Sequence, residues 1–241
     1  MIEVEGLTVR FGGVTPIDDM TVTFPGGTCG LIGPNGAGKT TFFNVLSGFV
    51  KPAAGSIRAF GEDLFKMADF RRARWGLRRS FQQEQAITNL SVFDNVAMVH
   101  EHSGQARSSR RQDVLDALAF VGLDVSPREK AGVLGARDRR LLEVARATVG
   151  KPRVVLLDEP AAGLPDEETM HMGAVIARIP EQFGALVILV DHDMSLVSAC
   201  CETTAVLDFG KLIASGPTAE VLRDEHVMRA YLGTEEIEAE R

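Results

Sequence analysis

Apolar residues in this chain form short runs near its two ends and a helical rhythm through its middle. The stretch carrying Ile2, Val4, Leu7 and Val9 is broadly apolar and β-branched, which predicts a strand over residues 2–9. Residues 21–24 alternate between apolar and polar before Pro25-Gly26-Gly27 punctuates a turn. Residues 29–32 read as a short buried strand running into a glycine loop. Over residues 40–47, Phe42, Phe43, Val45 and Leu46 supply the apolar faces of a helix that Gly48 stops.

Past an arginine-rich stretch at 71–79, helical spacing dominates as far as Gly150. Ser91-Val92-Phe93-Asp94 has the form of a capping box. Val114, Leu115, Leu118 and Val121 repeat at helical intervals with Gly122 as C-cap, and Leu141, Leu142, Val144, Ala145 and Thr148 repeat likewise. Strand patterns then return. Residues 154–157 are a continuous apolar run ending in Asp158-Glu159, and 186–190 form another ending in Asp191-His192-Asp193. Such runs suit parallel strands covered on both faces. Between them residues 166–179 read as one helix. The expectation is one α/β domain spanning 1–241. Its nucleotide-binding core takes residues 1–78 and 148–241, a helical insert takes about 79–147, and residues 234–241 form a mobile acidic tail.

Composition changes this picture little. With 241 residues, 45% apolar and 24% charged, the chain has material for an ordinary globular core. A formal net charge of −7 argues against nucleic acid as a partner, because phosphate neutralisation needs a basic surface. The run Arg71, Arg72, Arg74, Arg78, Arg79 is therefore read as a solvated helix face. No apolar run approaches the roughly 18 residues of a membrane span, and residues 1–10 lack the basic start and apolar middle of a signal peptide. The expectation is a cytosolic chain, or the cytosolic part of something larger. Cys29, Cys200 and Cys201 show no metal-ligand spacing and read as reduced structural thiols. His100 and His102 flank Glu101 at a spacing that does not share a helix face, so metal binding there is not expected.

Chemistry concentrates at three places. Gly33-Pro34-Asn35-Gly36-Ala37-Gly38-Lys39-Thr40 satisfies G-x-x-x-x-G-K-[ST], follows a strand and opens a helix. Its glycines permit positive φ and let backbone N–H groups close around a β-phosphate, with the helix N-terminus adding positive potential. Lys39 would reach the β- and γ-phosphates and Thr40 would place its hydroxyl on Mg²⁺. Asp158 and Glu159 end a buried strand, where open α/β sheets bind ligands. Two carboxylates there are costly unless they serve a cation or a reaction. Asp158 suits Mg²⁺, and Glu159 suits the polarising of an attacking water. His192, after the next strand, is placed to sense a γ-phosphate.

These residues together resemble the ABC ATPase family over essentially the whole chain. The resemblance implies a P-loop NTPase (RecA-like) core, an N-terminal antiparallel β subdomain and an inserted helical subdomain. It makes Phe11 the aromatic residue that stacks on adenine, Gln82 the glutamine-loop residue, Asp158 the Walker B aspartate, Glu159 the catalytic glutamate and His192 the switch histidine. ATP would then be held by Phe11, residues 33–40, Thr41 and Gln82, and Mg²⁺ by Thr40, Gln82 and Asp158. Arg10-Phe11-Gly12-Gly13, Asn44-Val45-Leu46-Ser47-Gly48-Phe49, Asp158-Glu159-Pro160-Ala161-Ala162-Gly163-Leu164 and Arg229-Ala230-Tyr231-Leu232-Gly233 resemble importers of branched-chain and other hydrophobic amino acids or amides. The implied partners are a second, different ATPase subunit, two membrane permease subunits and a substrate-binding protein. The chain would lie peripherally on the inner face of the cell membrane. Ile87, Leu90, Val92 and Phe93 are core candidates, some of which would line the groove for a permease helix. Alternatives are a lipopolysaccharide-export ATPase and a regulatory subunit that binds ATP with little hydrolysis.

Two motifs depart from the family pattern. Its Leu-Ser-Gly-Gly-Gln signature falls at Leu134-Gly135-Ala136-Arg137-Asp138, where the serine and second glycine are lost. Pro165 occupies the D-loop position where aspartate is common. A complete Walker half beside a defective signature half implies an asymmetric heterodimer. In a homodimer both sites would be crippled, which counts against the export reading.

Overall fold

The computed structural model describes residues 1–82 and 85–230. Tyr231-Leu232-Gly233 and the acidic segment 234–241 lie outside the described residues. β1 (Ile2–Phe11) and β2 (Val14–Phe24) form a hairpin, to which β4 (Ala54–Ala59) and the short β5 (Glu62–Asp63) add in the order β2-β1-β4-β5, all antiparallel. β2 begins seven residues before the alternating stretch at 21–24, because the tight turn at Gly12 returns the chain directly into pairing, Phe11 opposite Val14.

A second sheet holds β3 (Thr28–Ile32), β6 (Leu77–Arg79), β7 (Val154–Asp158), β8 (Leu186–Val190), β9 (Thr203–Asp208) and β10 (Lys211–Pro217), in the order β10-β9-β3-β8-β7-β6. All its pairs are parallel except β9–β10. β3, β7 and β8 are buried at every position. Their alternate side chains serve two cores. Val154, Leu156, Leu186 and Ile188 face the antiparallel sheet and α1 (Lys39–Ser47), while Val155, Leu157, Val187 and Leu189 face the helices. This two-sided burial is why these strands carry no polar alternation.

Between β6 and β7 lie α3 (Val92–Glu101), α4 (Arg110–Phe120) and α5 (Ala136–Thr148). The Ser91 hydroxyl accepts the Asp94 N–H at 3.0 Å and so caps α3, and Gly122 (φ 68°) follows the end of α4. The stretch 166–179 is two helices rather than one. α6 (Asp166–Ala177) stops at Arg178 and α7 (Ile179–Phe183) restarts with Pro180 in its first turn, where a missing N–H costs nothing. α8 (Met194–Cys200) follows β8, and α9 (Thr218–Val221) follows β10.

The arginine run corrects a sequence expectation. Arg71 and Arg74 lie exposed on α2 (Asp69–Trp75), but Arg72, Arg78 and the Arg79 side chain are buried. Arg72 Nη1 donates to the carbonyls of Val45 (2.6 Å) and Leu46 (2.8 Å), satisfying the open end of α1. Arg78 donates to the carbonyls of Ala73 and Leu77, and burial pushes its pKa down to about 10. Cys29, Cys200 and Cys201 are buried free thiols. His100 is buried against Asp113 at 2.7 Å, and no cluster of metal-ligating side chains occurs among the described residues. Within them no helix is long and apolar enough to cross a membrane.

Candidate active site

The loop of residues 33–38 joins the carboxyl end of β3 to α1. Gly33 (φ 151°) and Gly38 (φ 110°) have no room for a side chain: a Cβ would lie 2.1 Å from the Leu207 carbonyl and 2.2 Å from the Pro16 carbonyl. Gly36 (φ 80°) opens to free space, leaving bare backbone toward a ligand. The loop frames a cavity of about 190 Å³ that Pro16, residues 35–41, Gln82, Glu159, Val190 and His192 line. Lys39 Nζ donates to the carbonyls of Gly33 (2.6 Å) and Pro34 (2.9 Å). Burial lowers the Lys39 pKa, and the carboxylates of Glu159 and Asp158 oppose that shift.

Glu159 is held on three sides. Its N–H donates to the Val190 carbonyl at 2.8 Å, Gln82 Nε2 donates to Oε2 at 2.9 Å, and His192 Nε2 lies 2.9 Å from Oε1. Its backbone is left-handed (φ 48°), a conformation uncommon outside glycine, asparagine and aspartate. That twist immediately after β7 separates the two carboxylates. Glu159 turns into the cavity, whereas Asp158 stays buried and pairs with Arg79 at 3.4 Å. Burial raises the Asp158 pKa, while the Arg79 guanidinium pulls it down.

The structure thus brings Lys39, Thr40, Thr41, Gln82, Glu159 and His192 to one cavity. Phe11 does not line it; it sits half-exposed where the β1–β2 hairpin turns, and Pro16 takes the lining position on that side. Pro16 and Arg79 escaped the sequence reading, since neither belongs to the glycine loop or ends an apolar run. Asp191 is also buried nearby and accepts the Asp193 N–H at 3.0 Å.

The altered motif at 134–138 forms the start of α5. Gly135 is its N-cap, with φ −67° and open space within 4 Å of where a Cβ would stand, so neither backbone nor packing demands glycine there. Arg137 is partly exposed and 3.5 Å from Asp138. One turn on, Arg140 donates to the carbonyls of Gln82 (3.4 Å) and Ala162 (3.1 Å), tying α5 to the loops after β6 and β7. Pro165 is the N-cap of α6.

A glycine cradle at a helix N-terminus, an acidic strand end and an α/β sheet with one ligand-bearing edge define a P-loop nucleoside triphosphatase. The family profile described as ABC transporter matches residues 17–162, and one described as branched-chain amino acid ATP-binding cassette transporter matches residues 211–237. The chain is 34% identical to the high-affinity branched-chain amino acid transport ATP-binding protein BraF of Pseudomonas aeruginosa, over 97% of this chain and 98% of the relative. It is 35% identical to the corresponding LivG of Escherichia coli, again over 97% and 98%. Methionine import ATP-binding protein MetN 1 of Burkholderia pseudomallei is 31% identical, over 97% of this chain and 70% of the relative. Among solved structures, the ADP conformation of MJ1267, an ATP-binding cassette of an ABC transporter, shares the fold with a TM-score of 0.86 at 23% identity, covering 97% and 98% of the two chains. The chain belongs to the ABC transporter ATP-binding family, whose members couple ATP hydrolysis to transport.

Proposed function

We propose that this chain is the ATP-hydrolysing subunit of an importer for branched-chain or other hydrophobic amino acids or amides, working in an asymmetric pair of ATPase subunits. One observation carries the hydrolytic role: Glu159 is clamped between Gln82 and His192, 2.9 Å from each, at the mouth of the glycine cradle. A carboxylate so fixed orients and polarises a water against a γ-phosphate that Lys39 and the loop N–H groups hold. His192 keeps Glu159 in place and senses the phosphate.

The donor set fits Mg²⁺. Thr40, Asp158 and Gln82 offer hard oxygens, and Gln82 gives its amide nitrogen to Glu159, which leaves its amide oxygen for a cation. The cation would neutralise charge on the transferring phosphoryl group.

The amino-acid assignment rests on the names of BraF and LivG and on the matching carboxyl-terminal profile. A groove of about 340 Å³, floored by Phe49, Phe70, Phe81 and Val99, supports a permease partner at the inner membrane face. Phe49 and Phe70 are 62% and 56% exposed, which is large apolar area to leave in water. Gly135 and Arg137 support the asymmetric pair, because Gly135 supplies no serine hydroxyl and Arg137 no bare backbone to a partner's nucleotide.

That same motif favours a second reading, a regulatory subunit that binds ATP with little hydrolysis. Glu159→Gln separates the two in the assembled complex. As a motor, the variant loses on the order of 10²- to 10⁴-fold in ATP turnover and loses uptake of labelled leucine. Uptake unchanged from the parent would overturn the motor role, and labelled methionine run in parallel distinguishes the two classes of relative.

A further inference from the structure

Arg79 connects two places that the proposed function treats separately. It is the last residue of β6 and pairs in register with Leu156, two residues before Asp158 on β7. Its side chain is 6% exposed, and the Asp158 side chain is 5% exposed. Nη2 donates to Asp158 Oδ2 at 3.4 Å and Nη1 to Asn44 Oδ1, on α1, at 2.7 Å. The guanidinium carbon lies over two rings, 5.5 Å from the Phe43 centroid and 4.8 Å from that of Phe81. Phe81 immediately precedes Gln82 and stacks on Phe49, with centroids 6.4 Å apart. Arg79, Phe81 and Phe49 all line the 340 Å³ groove. One guanidinium therefore touches both Asp158 and the floor of the groove.

We propose that Arg79 is a positioning residue: by gripping Oδ2 it fixes the Asp158 carboxylate that would hold the cation, and Phe81 in the groove sets how firmly it grips. A buried ion pair is weak evidence of a gain in stability, since apolar replacements of similar volume are often tolerated. The arrangement has a different use. A planar fork shared between Asn44 and Asp158, with two rings packed against it, holds a carboxylate in one orientation. Partners one layer behind metal ligands govern metal affinity by this means. Any movement of Phe81 as a helix enters the groove passes to Asp158 through Arg79, along a route separate from the Gln82 side chain.

This inference rests on the ATP–Mg²⁺ reading, and its test separates the two. A fluorescent ATP analogue is titrated into the purified full chain with and without Mg²⁺. Arg79→Met keeps its Mg²⁺-free affinity within about twofold of the parent and loses about tenfold or more of the Mg²⁺-dependent gain. Arg79→Lys, which keeps the charge without the fork, falls between. Phe81→Leu removes one ring face and weakens the Mg²⁺-dependent gain in a chain whose ion pair is intact, and it carries the test if Arg79→Met does not fold. Combined with Asp158→Asn, Phe81→Leu adds no further loss. A full Mg²⁺-dependent gain in Arg79→Met, or an equal loss with and without Mg²⁺, overturns the positioning role. Absence of any Mg²⁺-dependent gain in the parent chain overturns the Mg²⁺ reading on which the proposal rests, whatever the variants do.

Discussion

At the scale of single residues, Asp191 records what the site costs the fold. Burial raises its pKa, and N–H donors from Asp193 and His192 offset only part of this; Oδ2 has no partner among the described residues. Because folding raises the pKa, the native chain holds this proton more tightly than the unfolded chain. The resulting stability is present in full below the ordinary carboxylate pKa and is lost as pH rises through the native one. Asp191→Asn, neutral and isosteric, is therefore expected to melt higher than the parent at pH 7. The difference should close as the pH is taken below the ordinary carboxylate range. Thermal denaturation across a pH series checks this, and a gap independent of pH would refute it.

At the scale of elements, much was legible because it is local. The glycine loop, the capped start of α3 and the doubly covered strands β7 and β8 each announce themselves within a few residues. Lys39, Gln82, Glu159 and His192 are readable as motif positions, and they meet in one cavity. Arg72 and Arg79 were not legible as buried residues, because what draws them inside is distant in sequence. The last carbonyls of α1 need donors, and Asp158 needs a counter-charge. Phe11 matches a motif and lies outside the phosphate cavity, at the β1–β2 turn, so the cavity itself does not bear on its stacking role. Arg140 is a comparable long-range tie, joining α5 to the loops that carry Gln82 and Ala162. Arg140→Ala should leave nucleotide affinity near the parent value and slow turnover in the complex by about tenfold, through looser placement of Gln82 and hence Glu159. Paired binding and steady-state assays read the two effects apart; a loss of affinity alone would contradict this.

At the scale of the whole molecule, the question is what a partner must supply. In the proposed asymmetric pair, this chain brings a complete cradle and an altered 134–138 motif, and hydrolysis at Lys39 would draw on a second subunit. Gly135 already adopts an N-cap conformation with open space around it, where serine is a preferred residue. The double change Gly135→Ser with Arg137→Gly should therefore fold as well as the parent and raise ATP turnover of the assembled complex, while the purified parent chain alone turns over little ATP. Appreciable turnover by the chain alone would refute the asymmetric arrangement.

The left-handed backbone at Glu159 has a consequence for how such a protein changes under selection. A long side chain with a positive φ is disfavoured by about 1 kcal/mol or more relative to glycine, and asparagine tolerates the same conformation. A laboratory screen that rewards heat resistance alone would enrich glycine or asparagine at position 159 and so discard the carboxylate. On the catalytic role proposed for it, glutamate would persist there only while ATP turnover is itself under selection, so its retention across a stability-selected library would report on activity without any assay of it.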